Sequence, residues 1–305
     1  MYICKYIKGD YLMAKRRWGD RKDAKRVRNL TGMGQIIMDI KPGRCNSDVY
    51  INQKMDVTKL VEYVEKRKKK GDKITIFHAF VTAIGKTIYN RPKLNYFVAN
   101  RHLYEHNDVK ISFVAKVTFS DKAEEMMIIV PIKPEDNIDT IGKFIADKVA
   151  SYREVKEIKK EGANDIVDVL GKMPNFLRVP IVGILKHMDK KGHLPSSICN
   201  DNLYYSSMIV SNLGSIHCGA IYHNITNFGS CSSLATMGEI KNEEVIDEKG
   251  KKSVRKLCEF GINLDERIAD GYYFAKCVKV LQHYFDHPEL LEERADEKLE
   301  MDEIR

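Results

Sequence analysis

The stretch LDERIADGYYFAKCVKVLQHYFDHPELL, residues 264–291, decides how the rest of the chain is read. Arg255 to Leu264, just before and into it, reads as a strand, and Tyr272 to His287 reads as a closing helix stopped by Pro288. Between them lies a charged turn, Asp265-Glu266-Arg267, followed by Asp270-Gly271, where glycine lets the backbone turn tightly into the helix. An Asp-Gly pair alone is an ordinary turn signal, so the weight of this stretch depends on what precedes it.

Upstream, MIVSNLGSI (residues 208–216) predicts a strand over Met208 to Val210 and a turn over Ser211 to Gly214. A loop then runs through Asn227 to the strand Ser233 to Glu239 and a hairpin with a charged Asp247 to Lys252 tip. Further back, Val57, Leu60, Val61 and Val64 recur at helical spacing, ended by the basic run Arg67 to Lys70, and Val49 to Ile51 is a short strand-like run before them. Ile74 to Tyr89 is a second helix, apolar on most of its circumference and therefore central; Pro92 stops it, and His78 within it reads as a satisfied core histidine. Residues 95–120 alternate with polar turns and predict successive antiparallel strands, and Met126 to Pro131 predicts a buried strand. Asp136 to Lys159 predicts an amphipathic helix, and Ile166 to Met188 is expected to break at Pro174 and Pro180 into short helical pieces. No internal repeat or hinge-like linker divides the chain, so one α+β domain is expected.

Composition sets the class. With 305 residues, 43% hydrophobic and 31% charged, the chain can bury a core, and no run reaches the roughly 18 apolar residues a membrane span needs. The start MYICKYIKGDYLMAKRR lacks an apolar core ahead of its basic cluster, so no secretory signal is read and a cytoplasmic protein is expected; Met13 is an alternative start. The seven cysteines show no CxxC or His-paired spacing, which predicts reduced, mostly buried thiols, Cys218 included, and neither disulfides nor a metal site. The net charge of +8 concentrates in a basic arm over residues 1–29. Such an arm suits nucleic acid or an anionic surface, but no nucleic-acid motif accompanies it and a solvated tail or subunit contact serves as well; nucleic acid is therefore not the expected partner.

Three segments, in order, resemble the catalytic domain shared by chloramphenicol acetyltransferase and the acyltransferases of 2-oxo-acid dehydrogenase complexes. FHAFVTAIGKTIYNRPKLNYFV followed by LYEHNDVKISFVA is similar to that family's helix, Arg-Pro-x-Leu-Asn turn and strand pair. MIVSNLGSI resembles its strand ending in Ser-Asn-Leu-Gly, and the opening stretch resembles its Asp-His-Arg-x-x-Asp-Gly segment, closing helix and terminal Pro-Glu-x-Leu. The resemblance spans residues 30–292 and leaves 293–305 as a charged tail. It implies a two-layer chloramphenicol acetyltransferase-like sandwich with a mixed sheet and packed helices, CoA or acyl-CoA as substrate, a small-molecule acyl acceptor, no metal, and a homotrimer with sites between subunits. The family's lipoyl-bearing modules are not read in this sequence.

In the family a histidine removes the proton from a thiol or hydroxyl, whose heteroatom attacks the thioester carbonyl, while a serine donates to the resulting oxyanion. By motif match Ser211 is that donor, and Asp270 is the loop organiser, with Arg21 or Arg28 as its arginine. The base position holds Glu266, a carboxylate whose ordinary pKa of about 4.3 makes it a weak base toward a thiol near about 8.5 unless burial raises it. His217 and His223, after the serine motif, are alternative bases, although each reads first as a surface or loop histidine. Two functional readings follow: a CoA-dependent acyltransferase, or a family member whose catalysis is impaired and which serves as a ligand-binding or assembly module.

Overall fold

In a computed structural model, which describes residues 17, 20–116, 125–154, 169–200, 202–300 and 304, a mixed sheet carries helices on one face and a long loop on the other. The sheet has six strands in the order β2-β9-β8-β7-β5-β6: β2 (Asp48–Asp56), β5 (Val109–Lys116), β6 (Glu125–Ile132), β7 (Met208–Asn212), β8 (Ser233–Ile246) and β9 (Lys252–Asp265). β7 runs parallel to both β5 and β8, and the other neighbours are antiparallel. A three-stranded sheet, β1 (Ala24–Arg26), β4 (His102–His106) and β3 (Tyr96–Ala99), stands beside it.

The helices are α1 (Gly32–Ile40), α2 (Thr58–Lys69), α3 (Ile76–Asn90), α4 (Ile138–Glu154), α5 (Asn175–Lys191), α6 (Ser196–Cys199) and α7 (Gly271–Asp286). As its apolar circumference predicts, α3 is central: eleven consecutive residues from His78 to Ile88 are buried. Phe80 of α3 meets Phe260 of β9 and Phe285 of α7 edge-on at 5.1 Å, joining both layers in one core. Fully burying each such ring contributes about 2–3 kcal/mol. His78 is buried as expected, but its Nδ1 has no partner among the described residues, and burial lowers its pKa.

The other sheet face is covered by the loop after β7, which approaches closely because two strand positions lack side chains. A Cβ on Gly238 would lie 2.7 Å from the Ala220 nitrogen, and one on Gly261 would lie 2.5 Å from the Ile221 oxygen.

Several expectations are revised. The helix α5 runs unbroken through Pro180. The proline removes a single bond near the helix start, and the carbonyl that loses its partner belongs to Phe176, a residue 75% exposed. Residues 155–168, part of the expected 136–159 helix and of the 166–188 segment, lie outside the described residues, as do 117–124. The basic segment is not detached throughout: β1 pairs with β4, and Arg21 is 2% exposed. Arg16 and residues before it lie outside the described residues. Cys218 and Cys45 are exposed rather than buried, since both sit on turns outside the sheet; Cys231, Cys258 and Cys277 are buried. No helix of the described residues is long and apolar enough to cross a membrane.

Candidate active site

Asp265 ends β9 against Asp48 at the start of β2, and the chain there alternates inward and outward. Asp265 and Arg267 point inward and form a bidentate pair, Nε to Oδ1 at 2.8 Å and Nη2 to Oδ2 at 2.7 Å, with side chains 0% and 2% exposed. Arg267 Nη1 also donates to the Lys41 carbonyl at 3.1 Å. Glu266, between them, points outward: its side chain is 43% exposed and ion-paired with Lys41 Nζ, while its backbone nitrogen donates to the Ser47 carbonyl at 2.9 Å. Fixed inward neighbours on both sides hold this loop, so the direction of Glu266 is set by the buried pair.

Asp270 caps α7, its Oδ1 accepting from the Tyr273 nitrogen at 2.8 Å. Neither arginine considered for it is its partner. Arg21 binds Asp23 and the Asp189 carbonyl, and Arg28 binds Asp20. Asp270 thus organises the loop through the helix end, a position where a carboxylate also complements the helix dipole.

Ser211 lies within β7 rather than just after it, opposite Thr236 of β8 in parallel register. Val210 faces the helix-side core, so Ser211 faces the loop-covered side. Thr236 is fully buried and its hydroxyl has no partner among the described residues. Beyond Ser211 the chain turns at once: Leu213 N donates to the Met237 carbonyl at 2.9 Å, and Ser215 Oγ donates to the Asn212 carbonyl at 2.9 Å.

Register fixes how far apart the two positions are. Ser211 is opposite Thr236, Thr236 is opposite Gly261, and Glu266 lies five residues beyond Gly261. That separates them by about 16 Å along the strands and about 10 Å across them. One chain does not bring Ser211 and Glu266 together.

His217 is on the Ser211 side, in the left-handed region at φ 55°, with Nδ1 2.7 Å from Glu239 Oε1; it is 85% exposed. This pair draws the Glu239 carboxyl below its ordinary pKa. His223 is exposed too, and its backbone nitrogen donates to Asn263 Oδ1 at 3.2 Å. No cluster of metal-binding side chains occurs among the described residues. Sequence reading missed the buried Arg44, which donates to the carbonyls of Thr226, Val98 and Gly229 at 3.1, 3.2 and 2.6 Å. Nothing in Gly-Arg-Cys-Asn marks it, because a buried arginine held by carbonyls has no local pattern.

Residues 190–292 match the family model described as 2-oxoacid dehydrogenases acyltransferase (catalytic domain), a span that holds both Ser211 and Glu266. Over that span, about a third of the chain, the sequence is similar to this family's catalytic domain. Among solved structures, a probable dihydrolipoamide acetyltransferase from Listeria monocytogenes is similar at 16% identity and TM-score 0.55, over 86% of this chain and 95% of that one. The cubic core of the pyruvate dehydrogenase multienzyme complex is similar at 14% identity and TM-score 0.57, over 88% and 94%. A truncated catalytic core of the 2-oxoacid dehydrogenase multienzyme complex from Thermoplasma acidophilum gives 16% and 0.53, over 87% and 99%. Identities this low establish the fold alone: the chain has the chloramphenicol acetyltransferase-like architecture its sequence predicts. No curated protein matches the sequence.

Proposed function

We propose that this chain binds CoA or acyl-CoA and transfers the acyl group to a small thiol or hydroxyl acceptor, working in the cytoplasm as a homotrimer. The observation that carries the proposal is Ser211 at the end of a parallel strand, in Ser-Asn-Leu-Gly, within a fold shared over nearly the whole chain with acyltransferase cores. In the reaction, the acceptor's sulfur or oxygen attacks the thioester carbonyl and its proton goes to the base; the Ser211 hydroxyl donates to the oxyanion, and on collapse the base returns the proton to the sulfur, so that CoA leaves as its thiol. A preorganised donor of this kind contributes about 10²–10³ in rate. Glu266 from one subunit faces Ser211 of its neighbour in this reading, because within one chain the two are separated. Apolar side chains left on the surface supply contact area for such an assembly: Met33, Ile36 and Ile40 on α1, and Phe176, Val179 and Ile184 on α5, all at least 53% exposed.

A specific observation favours the second reading, an impaired member acting as a binding or assembly module. The Glu266 carboxylate is paired with Lys41 and half open to water, not in the apolar pocket that makes a carboxyl an effective base. Calorimetric titration with CoA and acetyl-CoA tests the shared core of both readings, and absence of binding at millimolar ligand to folded protein defeats it. Glu266→His separates them: acyl transfer rising from near zero supports the impaired member, whereas loss of existing transfer supports a working glutamate. Light scattering on the eluting protein tests the trimer, and a 35 kDa monomer contradicts it.

A further inference from the structure

Beside the Glu266 loop the fold holds an open cavity of about 250 Å³ with several charged side chains in its lining. Its walls are the 42–46 segment, the turn between β3 and β4, the end of α5 and residues 227–229. The charged groups lining it are Arg44, Arg101, Lys190 and Arg267, opposed by Asp189. Arg267 is neutralised by its bidentate pair with Asp265. Asp189 is occupied as well: Oδ1 accepts from the Tyr205 hydroxyl at 2.7 Å, and Oδ2 accepts from the Gly229 nitrogen at 2.9 Å.

Arg44 is left as a buried cation, 3% exposed, with no carboxylate among its hydrogen-bond partners. Its Nε is buried and has no partner among the described residues. Burial works against its charge, and Arg267 adds to that effect, while Asp265 and Asp189 counter it from a distance. A guanidinium so placed gains from an anion that enters the cavity, because its planar fork matches the oxygens of phosphate and carboxylate.

The rim supplies an independent sign. Ala99 and His102 are paired across a two-residue hairpin turn made by Asn100 and Arg101, at φ 47° and 59°. Left-handed backbone at both places suits Asn followed by Gly. An arginine at the second place is held against that preference at the mouth of the cavity, and outliers of this kind concentrate where a side chain is needed for binding. Its contact with Asp39, Nη1 to Oδ1 at 3.4 Å, joins two exposed groups and does not fix it. Lys190 sits across the opening at the end of α5. Asn46 and Asn227 add amide groups to the same wall.

We infer that this cavity is a binding site for a small oxyanion, a phosphate or carboxylate group, with Arg44 as the buried cation and Arg101 and Lys190 as the cations of its rim. The site stands apart from acyl transfer, and its test contains no acyl-CoA, so either can fail alone. The full-length protein is titrated calorimetrically with sodium phosphate and, separately, sodium acetate, at ionic strength held constant with sodium chloride. Saturable binding of at least one anion is expected, weakened about tenfold or more in the double variant Arg101→Ala, Lys190→Ala. Both side chains are exposed, so the unliganded melting temperature of that variant should match the parent. Arg44→Lys keeps the charge but loses the fork and should weaken binding too; should it fail to fold, the rim variant still decides. Saturation by phosphate alone assigns a phosphate group, and saturation by acetate alone assigns a carboxylate. No saturable binding of either anion, or saturable binding that the rim variant leaves unchanged, overturns the site.

Discussion

The two ends of the sheet that carry the candidate residues are built on different physics. At the Glu266 end, structure is held by buried charge: Asp265 with Arg267, Arg44 on three carbonyls, and Asp189 between Tyr205 and the Gly229 nitrogen. At the Ser211 end, structure is held by backbone proximity, a loop resting on strands whose glycines make room for it. Buried ion pairs are poor sources of stability but are costly to break singly, because the surviving charge stays in a dry environment. Close backbone contacts carry no charge and respond to volume alone. The Glu266 end should therefore be sensitive to charge removal and acid, and the Ser211 end to added methyl groups.

The largest expected effect tests the first half of that contrast. Arg267→Ala leaves Asp265 buried and unpaired and should cost about 3–5 kcal/mol, seen as a fall in the urea midpoint. A loss under about 1 kcal/mol would mean that Asp265 finds water or a second cation.

Acid should act on the same end. His106, its ring tilted against Phe97 at 4.6 Å and its Nε2 3.2 Å from the Ser230 carbonyl, is pushed down to about 4 by desolvation, with Arg44 contributing. It is neutral in the fold and takes up a proton more readily when unfolded, where its value is about 6.5. Its contribution is complete above about pH 6.5 and falls as pH drops toward 4, by up to about 3 kcal/mol. Thermal melts across that window should decline, and His106→Gln should flatten the decline; parallel curves for parent and variant would remove His106 from the account.

The Ser211 end is tested by Gly238→Ala, whose Cβ would lie 2.7 Å from the Ala220 nitrogen. About 1–3 kcal/mol should be lost, with no change in the acid profile. A smaller effect belongs to Asp270→Ala: losing the cap on the Tyr273 nitrogen should cost about 1 kcal/mol in chemical denaturation. Asp270→Asn should recover most of it, since Asn caps equally well.

The same contrast explains what was legible in the sequence. Helices α3 and α7 and the long hairpin of β8 and β9 announce themselves by periodicity and by stops such as Pro92 and Pro288. The unbroken α5 did not, because a proline inside a helical pattern reads as a break, whereas Pro180 sits close to the helix start, next to the exposed Phe176 turn. At the candidate site, Ser211, Glu266 and Asp270 are singled out by motif order alone, and Asp270 as a cap follows from a carboxylate placed just before a helix. Arg44 and the orphaned Thr236 hydroxyl were illegible, since each depends on residues brought together from distant parts of the chain. The separation of Ser211 from Glu266 was equally hidden, because it is set by strand register and not by spacing in sequence.

The most direct test of the central claim is acetyl transfer from acetyl-CoA to a set of small thiol and hydroxyl acceptors by the purified protein, run beside CoA titration, with Ser211→Ala as the comparison. The account predicts measurable transfer by the parent and a rate about 10²–10³ lower in Ser211→Ala, with CoA affinity little changed. CoA binding without transfer would assign the impaired reading, and a folded parent that neither binds CoA nor transfers acetyl would contradict the account.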